Sequence, residues 1–130
     1  MDRVFLDANV LFSAAYSPDS ALLRLWQVRD AELITSAYAV HEVMANMAGD
    51  QMQGRLGEPL SAVQIVPEAP HVALPAAIGL PAADRPILQA AIAVGAAYLL
   101  TGDKAHFGRY YRRALHGVRV LPPAEYLCTK

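Results

Sequence analysis

The sequence predicts an α/β fold built on a mostly parallel sheet. Short apolar runs alternate with helical segments, a pattern typical of strands joined by crossover helices. The length of 130 residues fits one domain, residues 1–130, with one core. Hydrophobic residues make up 55% of the chain and charged residues 18%, which excludes a disordered chain. Because the net charge is −1, any nucleic-acid contact must come from a local patch or from metal ions.

Five short apolar runs predict the strands of this sheet. The first, residues 4–6, crowds β-branched and aromatic side chains into a stretch too short for a helix. The other four are residues 32–35, 63–66, 98–101 and 118–121. The last of them alternates apolar and polar side chains, so we expect it to be an edge strand.

Two helices are predicted between the first three strands. The first covers residues 21–28, which follow a Ser-Pro-Asp-Ser cluster and carry apolar side chains at helical spacing. The second begins at Thr35 or Ser36 and ends at Gly49-Asp50. Its core-facing side chains recur every three or four residues and are Val40, Val43, Met44 and Met47.

The second half of the chain contains four further predicted helices. Prolines punctuate the region up to residue 83, which we expect to be loop with one short helix between residues 72 and 79. Pro86 suits the first turn of a long apolar helix. Residues 107–115 are basic and aromatic and are interpreted as a helix, and Pro122-Pro123 begins a last short helix that runs through Leu127.

Four acids are expected to converge at one end of the sheet. Asp7 and Asp103 each follow a predicted strand, and the carboxyl ends of parallel strands meet at the same edge. Asp84 lies at a helix start, and Glu42 lies inside the helix after the second strand. Each acid also has a simpler explanation, since Asp7 and Asp103 suit turns, Asp84 suits a helix cap and Glu42 suits a solvated helix face.

Four carboxylates in one pocket need a cation. At ~5 Å and an effective dielectric of ~20, each like-charge pair costs about 3 kcal/mol before screening. A divalent ion offsets this repulsion, and carboxylate oxygens without a Cys or His cluster favour Mg²⁺ or Mn²⁺ over zinc. Such ions bind a phosphodiester, activate water and stabilise the leaving oxygen.

At this point the residues resemble the PIN domain family, and within it the VapC-type ribonucleases that are toxins of toxin–antitoxin pairs. The resemblance covers residue 4 to about residue 107. It is carried by Val-Phe-Leu-Asp-Ala-Asn-Val-Leu near the start, by a helix with an internal Glu, by Asp-Arg-Pro-Ile-Leu, and by Leu-Leu-Thr-Gly-Asp-Lys-Ala-His-Phe near the end.

The resemblance implies a three-layer α/β/α sandwich that binds Mg²⁺ or Mn²⁺ and hydrolyses RNA. The catalytic and metal-binding acids would be Asp7, Glu42, Asp84 and Asp103. Asn9 would be the polar companion of the first acid, and Thr101 would help to orient the last. Many members carry a further acid or amide shortly after the fourth acid, whereas Lys104, Ala105 and His106 stand there in this sequence.

A basic stretch with aromatic residues follows the last acid. Its candidate RNA contacts are Lys104, Arg109, Arg112 and Arg113, with Tyr110 and Tyr111 interleaved. Such patches hold phosphates and stack bases. The alternative is an amphipathic helix whose arginines face water while its tyrosines pack. A lone His such as His106 is more often structural than catalytic.

The sequence favours a metal-dependent ribonuclease, the toxin of a type II pair. Two alternatives stay open: an aspartyl-phosphate phosphatase or receiver-type domain, and a non-catalytic module that binds RNA or protein. Family analogy adds an antitoxin protein and a homodimer as expected partners. The single Cys128 and the lack of a membrane-spanning or secretory stretch predict a cytoplasmic protein that does not enter membranes.

Overall fold

The sheet has six strands in the order β3-β2-β1-β4-β6-β5. The computed structural model describes residues 1–47 and 49–130, and describes their side chains apart from residues 50–52. The strands are β1 (Asp2–Leu6), β2 (Ala31–Ser36), β3 (Gln64–Val66), β4 (Tyr98–Leu100), β5 (Ala114–Leu115) and β6 (Val118–Leu121). All neighbours pair in parallel except β5 and β6, so the mostly parallel sheet is confirmed.

Six α-helices and two 3-10 helices accompany these strands in the described part of the chain. The α-helices are α1 (Ala8–Tyr16), α2 (Ala37–Ala45), α3 (Gly49–Ser61), α4 (Arg85–Ala93), α5 (Lys104–Phe107) and α6 (Pro123–Cys128). The 3-10 helices are Ala21–Gln27 and Gly108–Tyr110. Among the described residues, no helix is long and apolar enough to cross a membrane.

Apolar side chains cover both faces of the sheet, which makes a three-layer α/β/α sandwich. Successive residues of β1 point to opposite faces. Phe5 therefore joins one core with Ile34 and Leu99, where α4 packs. Its neighbours Val4 and Leu6 join the second core, where α1, α3 and α6 pack. The predicted fold class is confirmed, and β1 is buried on both faces at the centre.

Two predictions for the middle of the chain are wrong. The second helix ends at Ala45 rather than at Gly49, and Gly49 begins α3 with a φ of +80° that favours glycine. Met44 lies on α2 but does not join the core, and it is 38% exposed. Between residues 72 and 79 the chain forms turns and extended segments instead of a helix, because Pro75 disfavours a helical backbone at Leu74.

Two predictions near the C-terminus are also wrong. Residues 107–115 do not form one helix. Helix α5 gives way to a 3-10 turn, and Arg112 then adopts a φ of +67° while its N–H donates to Val120. The strand at residues 118–121 is not at the edge either, because the two-residue β5 pairs outside it. The alternation that predicted an edge strand reflects Arg119, which is exposed between buried valines.

Candidate metal centre

Asp7 is a buried acid at the carboxyl end of the central strand. It is 5% exposed and forms the N-cap of α1, where its Oδ1 accepts a hydrogen bond from the Ala8 N–H at 2.7 Å. Its Oδ2 accepts hydrogen bonds from the Asn9 amide at 3.1 Å and from the Thr101 hydroxyl at 2.8 Å. These three donors are all neutral, so they orient the carboxylate without neutralising it.

Thr101 links the first and last acidic segments. It is fully buried just after β4, which is the strand paired beside β1. While its hydroxyl donates to Asp7, its oxygen accepts from the Asn9 amide and from the Asp103 N–H, each at 3.1 Å. The Asn9 carbonyl oxygen in turn accepts from the Gly102 N–H at 2.8 Å. This network fixes the loop that carries Asp103 against the start of α1.

One cavity of about 380 Å³ contains all four predicted acids. Its lining residues are Asp7, Ala8, Asn9, Phe12, Ser13, Glu42, Val43, Asn46, Asp84 and Asp103. The parallel sheet explains this convergence, since β1, β2 and β4 all end at this edge and the segments that follow them carry three of the acids. The fourth, Asp84, arrives at the start of α4.

Asp84 is held beside the cavity but does not cap its helix. It occupies the N-cap position of α4 without a side-chain hydrogen bond to the helix. A neighbouring contact fixes the segment instead, because the Tyr38 hydroxyl donates to the Ala83 carbonyl at 2.8 Å. The Asp84 Oδ2 atom is buried and forms an ion-pair contact with the His106 imidazole at 2.8 Å. The cap explanation for Asp84 therefore lacks its defining hydrogen bond.

His106 lies between the third and fourth acids. Its Nδ1 is 2.8 Å from an Asp84 oxygen and 2.9 Å from an Asp103 oxygen. Asp103 forms the N-cap of α5 and accepts from the His106 backbone N–H at 3.1 Å. Sequence reasoning favoured a structural role for His106 over a role in the site. The signal that could have found it is the three-residue spacing from a capping Asp, which brings the two side chains onto one side of the first turn.

The electrostatics of the cavity match a cluster of like charges. Burial raises the pKa of Asp7 to about 6, and the charges of Asp84 and Asp103 add to this effect. Burial also raises the pKa of Glu42, with smaller contributions from Asp7 and Asp84. The pKa of Asp84 is raised by burial, with the His106 imidazole opposing that rise. Three of the four acids are therefore harder to ionise than usual without a cation.

The donor set of this cavity fits a divalent cation. Carboxylate oxygens are the preferred ligands of Mg²⁺ and Mn²⁺, and Asp84, Asp103 and His106 place one ligand atom each within 4.8 Å of one another. The buried Asp84 oxygen shares the His106 Nδ1 with Asp103, so it keeps a lone pair that such an ion would use.

The four basic residues predicted to contact RNA lie outside the cavity lining and are all exposed. Lys104 is at the start of α5, directly after Asp103. The Arg109 guanidinium stacks 5.1 Å from the Tyr110 ring, whereas Arg112 forms an ion pair with Glu125 on α6. Arg113 follows in the same exposed loop.

The tyrosines of the same stretch pack inward. The Tyr110 hydroxyl accepts from the Gly79 N–H, and the Tyr111 hydroxyl donates to the Thr101 carbonyl at 2.8 Å. These contacts match the alternative of packed tyrosines with solvated arginines. Tyr111 also supports the network around Asp7 through the Thr101 backbone.

Residues 3–105 match a family model described as PIN domain. Since the match covers most of the 130 residues, the chain belongs to the PIN domain family. Among solved structures, it is similar to a chain of the crystal structure of VapBC2 from Rickettsia felis bound to a DNA fragment from their promoter. That similarity has a TM-score of 0.67 at 15% sequence identity, and it covers 92% of this chain and 98% of the other. At this identity the two chains share a fold. No curated protein matches the sequence.

Proposed function

We propose that this protein is a divalent-metal-dependent endoribonuclease that hydrolyses RNA phosphodiester bonds. The observation that carries the proposal is the single cavity lined by Asp7, Glu42, Asp84 and Asp103. Membership of the PIN domain family supports the same chemistry. The 130 residues act as one catalytic domain.

Within this proposal, the acids hold Mg²⁺ or Mn²⁺ at the carboxyl edge of the sheet. When bound, the ion supplies Lewis acidity that activates water and stabilises charge on the phosphate. Thr101 and Asn9 keep the Asp7 carboxylate in one orientation, and the capping contact at α5 does the same for Asp103. The exposed charges of Lys104, Arg109 and Arg113 attract the RNA backbone toward the cavity.

The aspartyl-phosphate alternative has less support. That chemistry needs another acid close to the attacking carboxylate, whereas Asn9, whose amide donates to Asp7 at 3.1 Å, stands where one common pattern has Asp. The non-catalytic alternative does not explain why four acids line one cavity.

We further propose that the protein is the VapC-like toxin of a type II pair, with a small antitoxin as its partner. The shared fold with a chain of the VapBC2 complex supports this assignment. An apolar margin beside the cavity supports a protein partner. Phe12 lines the cavity and its ring pairs at 6.3 Å with Tyr16, which is 64% exposed. The proposal also includes a homodimer of this chain and a cytoplasmic location.

Cleavage of labelled RNA tests the proposed activity. In Mn²⁺ we expect Asp7→Asn and Asp103→Asn to lower the cleavage rate at least 100-fold, because each removes a carboxylate charge from the cavity. Asp19→Asn is the matched control, since Asp19 is exposed and lies outside the cavity. Wild-type cleavage rates in both cavity variants, or no metal-dependent cleavage by the wild type, would refute the assignment.

A further inference from the structure

One imidazole lies between two of the candidate metal ligands. The His106 Nδ1 atom is within 3 Å of both the Asp84 and the Asp103 carboxylate, at 2.8 and 2.9 Å. We propose that His106 is a nitrogen ligand of the divalent ion and makes the site select Mn²⁺ over Mg²⁺. This inference rests on the proposed metal-dependent function and specifies which ion serves it.

The position of His106 is set by the acids and not by core packing. The imidazole is 47% exposed, so burial of the ring explains little of its placement. Its backbone N–H is bound to the Asp103 carboxylate, which fixes the first turn of α5 and directs the ring toward Asp84. One ligand atom from each of the three side chains lies within 4.8 Å of the others, a spacing that suits a shared ion.

A second observation supports a ligand at this point. The His106 Nδ1 atom lies 2.8 Å from the buried Asp84 Oδ2 and 2.9 Å from the Asp103 Oδ2, so one ring nitrogen is shared between two carboxylate oxygens. A single ring N–H donates fully to only one acceptor, which leaves the other carboxylate short of a partner. A divalent ion held by Asp84, Asp103 and His106 would be a partner for both carboxylates.

The ligand chemistry decides which ion is favoured. Mg²⁺ prefers oxygen ligands and gains little from an imidazole nitrogen. Mn²⁺ belongs to the first-row divalent metals, which accept nitrogen as well as oxygen ligands. An all-carboxylate cavity would accept both ions. A cavity that adds one nitrogen donor shifts its preference toward Mn²⁺.

Two histidine variants provide a matched comparison. His106→Gln removes the ring nitrogen but keeps a neutral polar side chain, and its amide oxygen still suits Mg²⁺. His71→Gln makes the same chemical change at an exposed loop position outside the cavity. Thermal unfolding of both variants, followed by circular dichroism, establishes that each is folded.

Pulsed electron paramagnetic resonance of the Mn²⁺-loaded chain tests the inference directly. With ¹⁵N-labelled histidine, we expect coupling between Mn²⁺ and nitrogen in the wild type and in His71→Gln, and none in His106→Gln. Competition titrations should show the ratio of Mn²⁺ to Mg²⁺ affinity falling at least 10-fold in His106→Gln alone.

The possible failures are distinguishable. If the wild type binds Mn²⁺ without histidine coupling, or if the coupling persists in His106→Gln, the role of His106 is refuted while the metal site stands. If the wild type binds no Mn²⁺, the inference and the proposed function both fail.

Discussion

The two ends of β1 carry acids in opposite electrostatic settings. At its start, Asp2 accepts hydrogen bonds from the Tyr126 hydroxyl at 3.0 Å and from the Lys130 ammonium at 2.9 Å. The Lys130 hydrogen bond lowers the pKa of Asp2. Just past the other end of the strand, Asp7 is held by neutral donors and lies near further carboxylates, and burial raises its pKa to about 6.

This contrast separates a structural acid from a candidate functional one. The chain itself supplies a cation for Asp2, so the charge of that acid is stabilised in the fold. At Asp7 the fold supplies orientation without charge compensation, which costs stability that an external cation can restore. Acids whose pKa values are raised together in a cavity are typical of functional sites.

The largest effect on stability is expected for Thr101→Val. This substitution keeps the shape but removes the hydroxyl that donates to Asp7 and accepts from Asn9 and from the Asp103 N–H. We expect the free energy of unfolding to fall by about 3 kcal/mol, because buried polar groups lose their partners. Urea denaturation measures this change.

Thr35→Val is the matched control for that substitution. Thr35 is equally buried, but its hydroxyl makes one recorded hydrogen bond, to the Leu6 carbonyl at 2.8 Å. We expect a loss of about 1 kcal/mol there. Equal losses at the two positions would mean that the network around Asp7 adds no special stability.

Asp7→Asn should change the free energy of unfolding by an intermediate amount. It should raise this free energy, whereas Thr101→Val lowers it. Because the pKa of Asp7 is about 6 in the fold and near 3.8 in the unfolded chain, folding favours its protonated form. Its contribution to stability is therefore present below pH 4 and is lost as the pH rises through 6. In chelator at pH 8, we expect Asp7→Asn to be about 1 to 3 kcal/mol more stable than the wild type.

The pH dependence of that difference is the test. Urea denaturation at pH 4 and pH 8 should show the advantage of Asp7→Asn shrinking at the lower pH, whereas Asp19→Asn should show no such trend. A variant that is no more stable than the wild type at pH 8 would contradict the assigned cost of the Asp7 charge.

The smallest effect is expected for Asp2→Asn. Asp2 lies at the opposite end of β1 from the cavity, and its ion pair with Lys130 joins two partly exposed side chains. Ion pairs that solvent reaches contribute modestly to stability. We expect RNA cleavage within twofold of the wild-type rate and a small decrease in the melting temperature. Loss of cleavage in this variant would contradict the claim that Asp2 is a structural acid while Asp7 is a functional one.

Most of the sheet could be predicted from the sequence because strand signals are local. β-branched and aromatic runs mark β1, β2 and β4 without reference to the rest of the chain. The same runs indicate where the chain leaves the sheet. The positions of Asp7 and Asp103 at the sheet edge could therefore be predicted from the sequence. The helix signals were weaker. The end of the second helix was wrongly predicted at Gly49, because a glycine can either end one helix or begin the next.

The parts that escaped prediction depend on contacts between distant segments. The two-residue β5 has too few residues for a periodic signal, and its pairing outside β6 decides which strand is the edge. The contact of His106 with Asp84 joins α5 to the start of α4. No local pattern contains both residues, so only the fold reveals that the imidazole contacts two acids of the cavity.

Calorimetric titration with Mn²⁺ tests the central claim most directly, using the wild type, Asp103→Asn and Asp2→Asn. The account predicts that the wild type and Asp2→Asn bind Mn²⁺ with similar affinity and that Asp103→Asn binds it at least 10-fold more weakly. Binding of Mn²⁺ with the same affinity by Asp103→Asn, or no binding by the wild type, would contradict the account.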